Sequence, residues 1–221
     1  MKDYKIFDII GPIMIGPSSS HTAGACRIAK TARAIVDPGF TELEFQLHGS
    51  FAATYKGHGT DRALLAGAMG FDTDDVRIRD SFEIADQEGL KYKFTREDLG
   101  KVHPNTVKII FKYPDKSDIA IIGSSIGGGN IEIIDIDGVE ISYTGMWPTL
   151  IVKYQDQKGV IHNVSGLLSL CNYNIESIKT VKNSEDLVTL IVETNEVVDN
   201  DIINRIIDDK RFTFARYIMG A

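Results

Sequence analysis

The stretch Gly16-Pro17-Ser18-Ser19-Ser20-His21-Thr22-Ala23-Gly24 sets hydroxyls and one imidazole side by side, just ahead of an amphipathic run. Two readings fit it. A single serine can cap a helix by accepting a bond from a free backbone N–H. Free amides and the helix dipole also attract anions, so Ser18, Ser19, Ser20 and Thr22 can grip a carboxylate while His21 moves a proton. A second element, Lys56-Gly57-His58-Gly59-Thr60-Asp61-Arg62, again places a histidine at a helix start, with glycines that let a ligand approach the backbone closely. Read alone it is a tight turn with an exposed His58. Two such elements in one chain point to a shared site. The third, Gly123-Ser124-Ser125-Ile126-Gly127-Gly128-Gly129-Asn130, offers either a nest of amides for an anion or a glycine-rich hairpin turn. It has no Gly-Lys-Ser/Thr ending and no strand-to-helix setting, so nucleotide binding has no support.

The elements that must position these groups fall into two parts, expected over 1–147 and 148–221, with Trp147-Pro148 as a stiff junction. The first part reads as α+β with a mostly antiparallel sheet. Ala25, Ile28, Ala29, Ala32 and Ile35 recur at helical spacing behind the Gly11–Ser20 loop. Leu43, Phe45 and Leu47 alternate with polar neighbours as a strand over Glu42–Leu47. A short glycine-rich link, Tyr55 to Gly59, leads to a helix over Thr60–Met69. Further strands are expected at Val76–Ile78, Leu90–Phe94, Val107–Tyr113, Ile119–Ile122 and Ile131–Ile136. Arg77-Ile78-Arg79 reads as a solvated strand edge, and His48 and His103 as loop or surface groups.

The second part reads as βαββαβ, the ferredoxin-like order. A strand from Thr149 is followed by the turn Asp156-Gln157-Lys158-Gly159 and a helix carrying Val160, Ile161, Val164, Leu167, Leu168 and Cys171. Cys171 is expected in the core and His162 on the surface. Strands from Ile175 to about Val181 and Leu187 to Val192 flank a turn at Lys182-Asn183-Ser184. Asp199-Asn200-Asp201 then caps a helix with Ile202, Ile203, Ile206 and Ile207, and Arg211–Met219 closes as a strand.

Composition narrows the chemistry. Among 221 residues, 24 Lys and Arg face 31 Asp and Glu, a net charge of −7, so no basic field draws in nucleic acid or an anionic membrane surface. No apolar run is long enough for a membrane span. Met1-Lys2-Asp3-Tyr4-Lys5 lacks an apolar signal core, and two cysteines, Cys26 and Cys171, suit a reducing cytoplasm. Two are too few for a cluster that takes about four thiolates. No His-x-x-x-His or Cys-x-x-Cys pattern offers a metal site of its own.

Gly16-Pro17-Ser18-Ser19-Ser20-His21-Thr22, Gly57-His58-Gly59-Thr60-Asp61-Arg62 and Ser125-Ile126-Gly127-Gly128-Gly129, in that order, resemble the beta chain of the iron–sulfur-dependent L-serine dehydratases. The second part is similar to an ACT domain, with Asp156-x-x-Gly159-x-Ile161 and Asn174-Ile175 in the expected places. The resemblance covers nearly the whole chain. It implies one subunit of a two-chain enzyme that deaminates L-serine to pyruvate and ammonia. The alpha subunit carries a 4Fe-4S cluster, and the first part is similar to a regulatory substrate-binding domain of some phosphoglycerate dehydrogenases. An iron with an open position acts as a Lewis acid on substrate oxygens while a protein base takes the α-proton. On that footing Ser18, Ser19, Ser20 and Thr22 contact substrate, His21 and then His58 are the proton-handling candidates, and the Gly127, Gly128 and Gly129 amides close the far wall. Asp156, Gly159, Val160 and Ile161 are expected to bind L-serine or a similar amino acid where two ACT domains pair. Two other classes compete. A non-catalytic amino-acid sensor explains the anion-friendly loops equally well. A serine hydrolase is disfavoured because Ser20 and His21 are adjacent and no nucleophile elbow frames them.

Overall fold

The computed structural model describes residues 12–182 and 186–219. The charged N-terminus, Gly11, and the turn positions Asn183 and Ser184 lie outside them. The chain divides into two compact units, Met1–Thr144 and Gly145–Ala221.

The first unit opens with a π-turn over Ser19–Ala23 that runs into helix α1 (Gly24–Ile35). Strand β1 (Glu42–Leu47) is followed by α2 (Gly49–His58) and α3 (Thr60–Met69). After a 3-10 turn over Val76–Asp80 come α4 (Ser81–Gln87), β2 (Lys91–Arg96), β3 (Thr106–Lys112), β4 (Ile119–Gly127), β5 (Asn130–Ile136) and β6 (Val139–Tyr143). The sheet order is β2-β1-β3-β4-β5-β6. The sheet is mostly antiparallel, as expected, with one parallel pair: β1 and β2, Leu43 opposite Tyr92 and Phe45 opposite Phe94. Three helices and the 3-10 turn separate them in sequence, ample length for a parallel crossover.

One face of this sheet is the core. Leu43, Phe45, Leu47, Ile109, Phe111, Ile121 and Ile133 are fully buried, and β1 alternates buried with half-buried positions as its sequence predicts. Helices α1 and α3 pack along a seam of small residues. An added Cβ at Gly67 meets the Cys26 carbonyl and comes within 3.0 Å of Ala29 Cβ, so the two helix backbones nearly touch. Gly123 similarly admits Ile28 onto the sheet.

Two local expectations fail. Tyr55–His58 is no link: it is the last turn of α2, and Gly59 alone, in the left-handed conformation at φ 66°, breaks the chain before α3. Val76–Ile78 is 3-10 helix, because Asp75 accepts the Arg77 amide at 2.9 Å and caps a turn there. Arg77 lies over the Phe71 ring instead of along a strand edge. His48 sits in the loop between β1 and α2, as expected, but is half-buried, its Nδ1 accepting the Leu99 amide at 3.1 Å.

The second unit follows the expected order: β7 (Thr149–Gln155), α5 (Val160–Leu170), β8 (Ile175–Lys182), β9 (Leu187–Thr194), α6 (Asn200–Ile207) and β10 (Phe212–Ile218). Its sheet, β10-β7-β9-β8, is antiparallel throughout. Leu150, Val152, Tyr154, Val188, Leu190 and Val192 face Val160, Val164, Leu168, Ile203 and Ile206 from the two helices. Cys171 is half-buried at the C-cap of α5 and not in this core. Asp199 holds the N-cap position of α6, but its backbone carbonyl, not its side chain, takes the Ile202 amide at 3.0 Å.

Candidate active site

The first two histidine elements meet. Ser18 is the N-cap of the π-turn, its Oγ accepting the His21 amide at 3.1 Å. The same oxygen lies 3.4 Å from His21 Nδ1. The wide turn makes the Gly24 amide reach back to the Ser19 carbonyl, a π-bulge geometry that recurs at functional sites. Gly16, at φ 124°, packs directly on Thr22, and the Thr22 hydroxyl donates to the His58 carbonyl at 3.1 Å. This bond ties the head of α1 to the end of α2. The His21 and His58 ring centres are 4.8 Å apart, and Phe51 stands edge-on to His21 at 5.5 Å.

Both nitrogens of His21 face hydroxyls. Nε2 is 2.9 Å from Ser50 Oγ on the first turn of α2. Ser50 was not legible as a site residue: it lies 29 positions from its partner, in a helix the sequence does not announce. Its only signal is a Gly-Ser pair directly after a strand. Burial and then the neighbouring His58 charge hold the His21 pKa below the ordinary histidine range, so the ring is neutral and able to accept a proton near neutrality. The group opposite Nδ1 is a hydroxyl, not a carboxylate, so His21 and Ser50 lack the charged orienting partner of a hydrolytic triad.

The other expected residues divide. Ser19, Ser20, His21 and His58 are half-buried, while Thr22 is buried and committed to the His58 carbonyl. The third motif reaches the first through Ser125, which packs against Gly24; a Cβ there would sit 2.8 Å from Ser125 Cβ. Ser125 Oγ, Thr60 Oγ1 and His58 Nδ1 are buried without a hydrogen-bond partner. Gly127, Gly128 and Gly129 make the β4–β5 hairpin turn, all at positive φ. Arg27 donates to the Gly129 carbonyl at 3.0 Å, and Gly129 leaves room for Pro12. Those contacts fasten the turn beside α1, not to either imidazole.

In the second unit, Asp156, Gly159, Val160 and Ile161 line a cavity of about 660 Å³ with Tyr154, Lys158 and Lys182. Asp156 pairs with Lys182 at 2.9 Å. Gly159 is left-handed at φ 88° and starts α5; Val160 points into the core and Ile161 is exposed.

The match with known proteins runs the length of the chain. A profile of the serine dehydratase beta chain family matches residues 5–91, which hold both histidine elements. The "L-serine dehydratase, beta chain" of Peptoniphilus asaccharolyticus is 51% identical over 220 residues, 99% of each chain. The "Probable L-serine dehydratase, beta chain" of Bacillus subtilis (strain 168) is 40% identical over 207 residues, 93% of this chain and 94% of that one. The "L-serine dehydratase" of Streptomyces coelicolor is 41% identical over 70 residues, 29% of this chain but 15% of its own. Among solved structures, a homoserine dehydrogenase of S. aureus aligns at 12% identity over 85% of this chain and 67% of that one, with a TM-score of 0.24, and has no bearing on the fold. The two imidazoles gathered where α1 begins and α2 ends lie inside the segment that the family profile matches. The chain belongs to the serine dehydratase beta chain family.

Proposed function

We propose that this chain is the beta subunit of a two-chain L-serine dehydratase that converts L-serine to pyruvate and ammonia. The observation that carries the reading is the contact of His21 with His58, with the Ser18 and Ser50 hydroxyls on the two nitrogens of His21. The relatives' names supply the substrate and a partner chain.

The family resemblance adds a 4Fe-4S cluster, and this chain's donors do not fit it. Cys26 is buried, donates to the Phe71 carbonyl, and has its thiol pushed up to about 12 by burial. Cys171 belongs to the other unit. No group of three His, Cys, Asp or Glu converges among the described residues. In this reading the cluster sits on the alpha subunit.

The placement of the chain's own residues supports the following roles. The Ser19 and Ser20 amides precede the first bonded turn and are assigned the substrate carboxylate. Neutral His21 takes the α-proton, the electron pair left on Cα forms the Cα=Cβ bond as the Cβ–O bond breaks, and the hydroxyl leaves as water with the proton that His21 returns. The aminoacrylate that leaves is hydrolysed to pyruvate and ammonia. Ser125, packed against Gly24 behind the His21 turn, is assigned to the far wall.

Anaerobic mixing with a cysteine-rich companion subunit tests this. Pyruvate is expected from L-serine only when both chains are present. Full turnover by this chain alone in air contradicts it. The second unit we read as an ACT domain that pairs with another copy and takes L-serine or a similar amino acid at Asp156–Ile161. Calorimetric heat on adding L-serine to the isolated chain is the expected result; its absence leaves only the pairing role.

A further inference from the structure

We infer that Ser50 is a positioning residue for His21, fixing which ring nitrogen is free to take a proton; this rests on the dehydratase reading above. The backbone around Ser50 is built to hold it. Gly49 sits at φ 54°, and an added Cβ there would lie 2.6 Å from the Pro104 carbonyl oxygen and 2.9 Å from Pro104 Cα, so only glycine fits. The Ser50 amide donates to that same Pro104 carbonyl at 2.8 Å. The Thr54 hydroxyl donates to the Ser50 carbonyl at 2.8 Å. The Pro104 loop and the first turn of α2 therefore clamp Ser50 from both ends of its backbone, with Oγ 2.9 Å from His21 Nε2.

The proton inventory sets the direction. Ser18 Oγ already accepts the His21 amide, and its one hydroxyl proton has Nδ1 within 3.4 Å. With the Ser18 hydroxyl donating to Nδ1, the tautomer we assign, the neutral imidazole carries its single proton on Nε2. That N–H donates to Ser50 Oγ. The long Ser18 contact at Nδ1 is the weaker of the two, so Nδ1 is the lone pair a substrate can reach. When Nδ1 takes a proton, the ring becomes a cation and its bond to Ser50 becomes charge-assisted. Ser50 thus does for His21 what a third residue does for a catalytic base: it holds the tautomer and the ring plane.

The test uses Ser50→Ala and Ser50→Thr in the two-chain enzyme, with His21→Ala beside them. Ser50→Ala is expected to lower kcat about 10–100-fold, the worth of a hydrogen bond to a charged group, with KM little changed. Ser50→Thr keeps the hydroxyl and is expected to restore most of the rate. Nitrogen-15 spectra of the full chain should show His21 protonated at Nε2, shifting toward a mixture of tautomers in Ser50→Ala; a merely structural serine leaves that signature unmoved. A near-normal kcat in Ser50→Ala beside a crippled His21→Ala overturns the inference and spares the dehydratase reading. Near-normal rates in both overturn the reading itself. His21 protonated at Nδ1 in the wild-type chain also overturns the inference.

Discussion

His21→Ala is expected to lower kcat of the two-chain enzyme by about 10²–10⁴-fold, the range for loss of one general acid–base group. The side chain is half-buried and its contacts are polar or edge-on, so its removal opens no core cavity and the variant should fold. The loss should fall on kcat more than on KM, because the carboxylate grip assigned to the Ser19 and Ser20 amides stays in place. His58→Ala should also reduce kcat. If the rings act as one unit, the double variant loses less than the product of the two single losses. Steady-state pyruvate formation checks all three; wild-type turnover in His21→Ala removes it as the proton carrier.

The second large effect concerns stability. Gly67→Ala is expected to destabilise the first unit by about 3 kcal/mol, the upper part of the range for overpacking. Alanine is about 1 kcal/mol better than glycine inside a helix, so propensity alone predicts a gain. The obstacle decides the sign. A Cβ at Gly67 runs into the Cys26 carbonyl, a backbone atom that no rotamer change can move, so α1 and α3 must part. The displaced α1 carries the His21 turn at its head, so activity should fall with stability. Gly166 in α5 is the control: nothing lies within 4 Å of its Cβ position, and Gly166→Ala should be neutral or stabilising. Urea midpoints of the two variants make the comparison. If they match, close helix approach is not what requires glycine at position 67.

Much of this was legible in residue patterns, and the gaps have local causes. β1 and α3 end where alternation and apolar content place them, Glu42–Leu47 and Thr60–Met69. The βαββαβ order of the second unit also shows plainly, because Leu150, Val152 and Tyr154 alternate while Val160, Val164 and Leu168 recur at helical spacing. Helix α2 does not show. Its sequence, Gly49-Ser50-Phe51-Ala52-Ala53-Thr54-Tyr55-Lys56-Gly57-His58, carries two glycines and buries only Phe51, so it has no apolar stripe to read. That gap hid Ser50 and turned the last turn of α2 into a supposed link. The Val76–Ile78 error came from β-branched residues whose local geometry is set by the Asp75 cap. The three motifs marked the right neighbourhood, but only the fold showed that Thr22 joins the histidine elements and that the triple glycine fastens beside α1 through Arg27.

The pH dependence of kcat/KM in the two-chain enzyme, measured with and without His58→Gln, tests most directly whether the paired imidazoles are where the chemistry happens. That ratio reports the ionisations of the free enzyme. Activity needs neutral His21, whose protonation is suppressed by burial and by the His58 charge. The acid limb should therefore lie below the ordinary histidine value of about 6.5. His58→Gln removes the like charge while the burial remains, so the limb should move to higher pH. A limb at or above the ordinary value, or one that does not move in His58→Gln, contradicts the account.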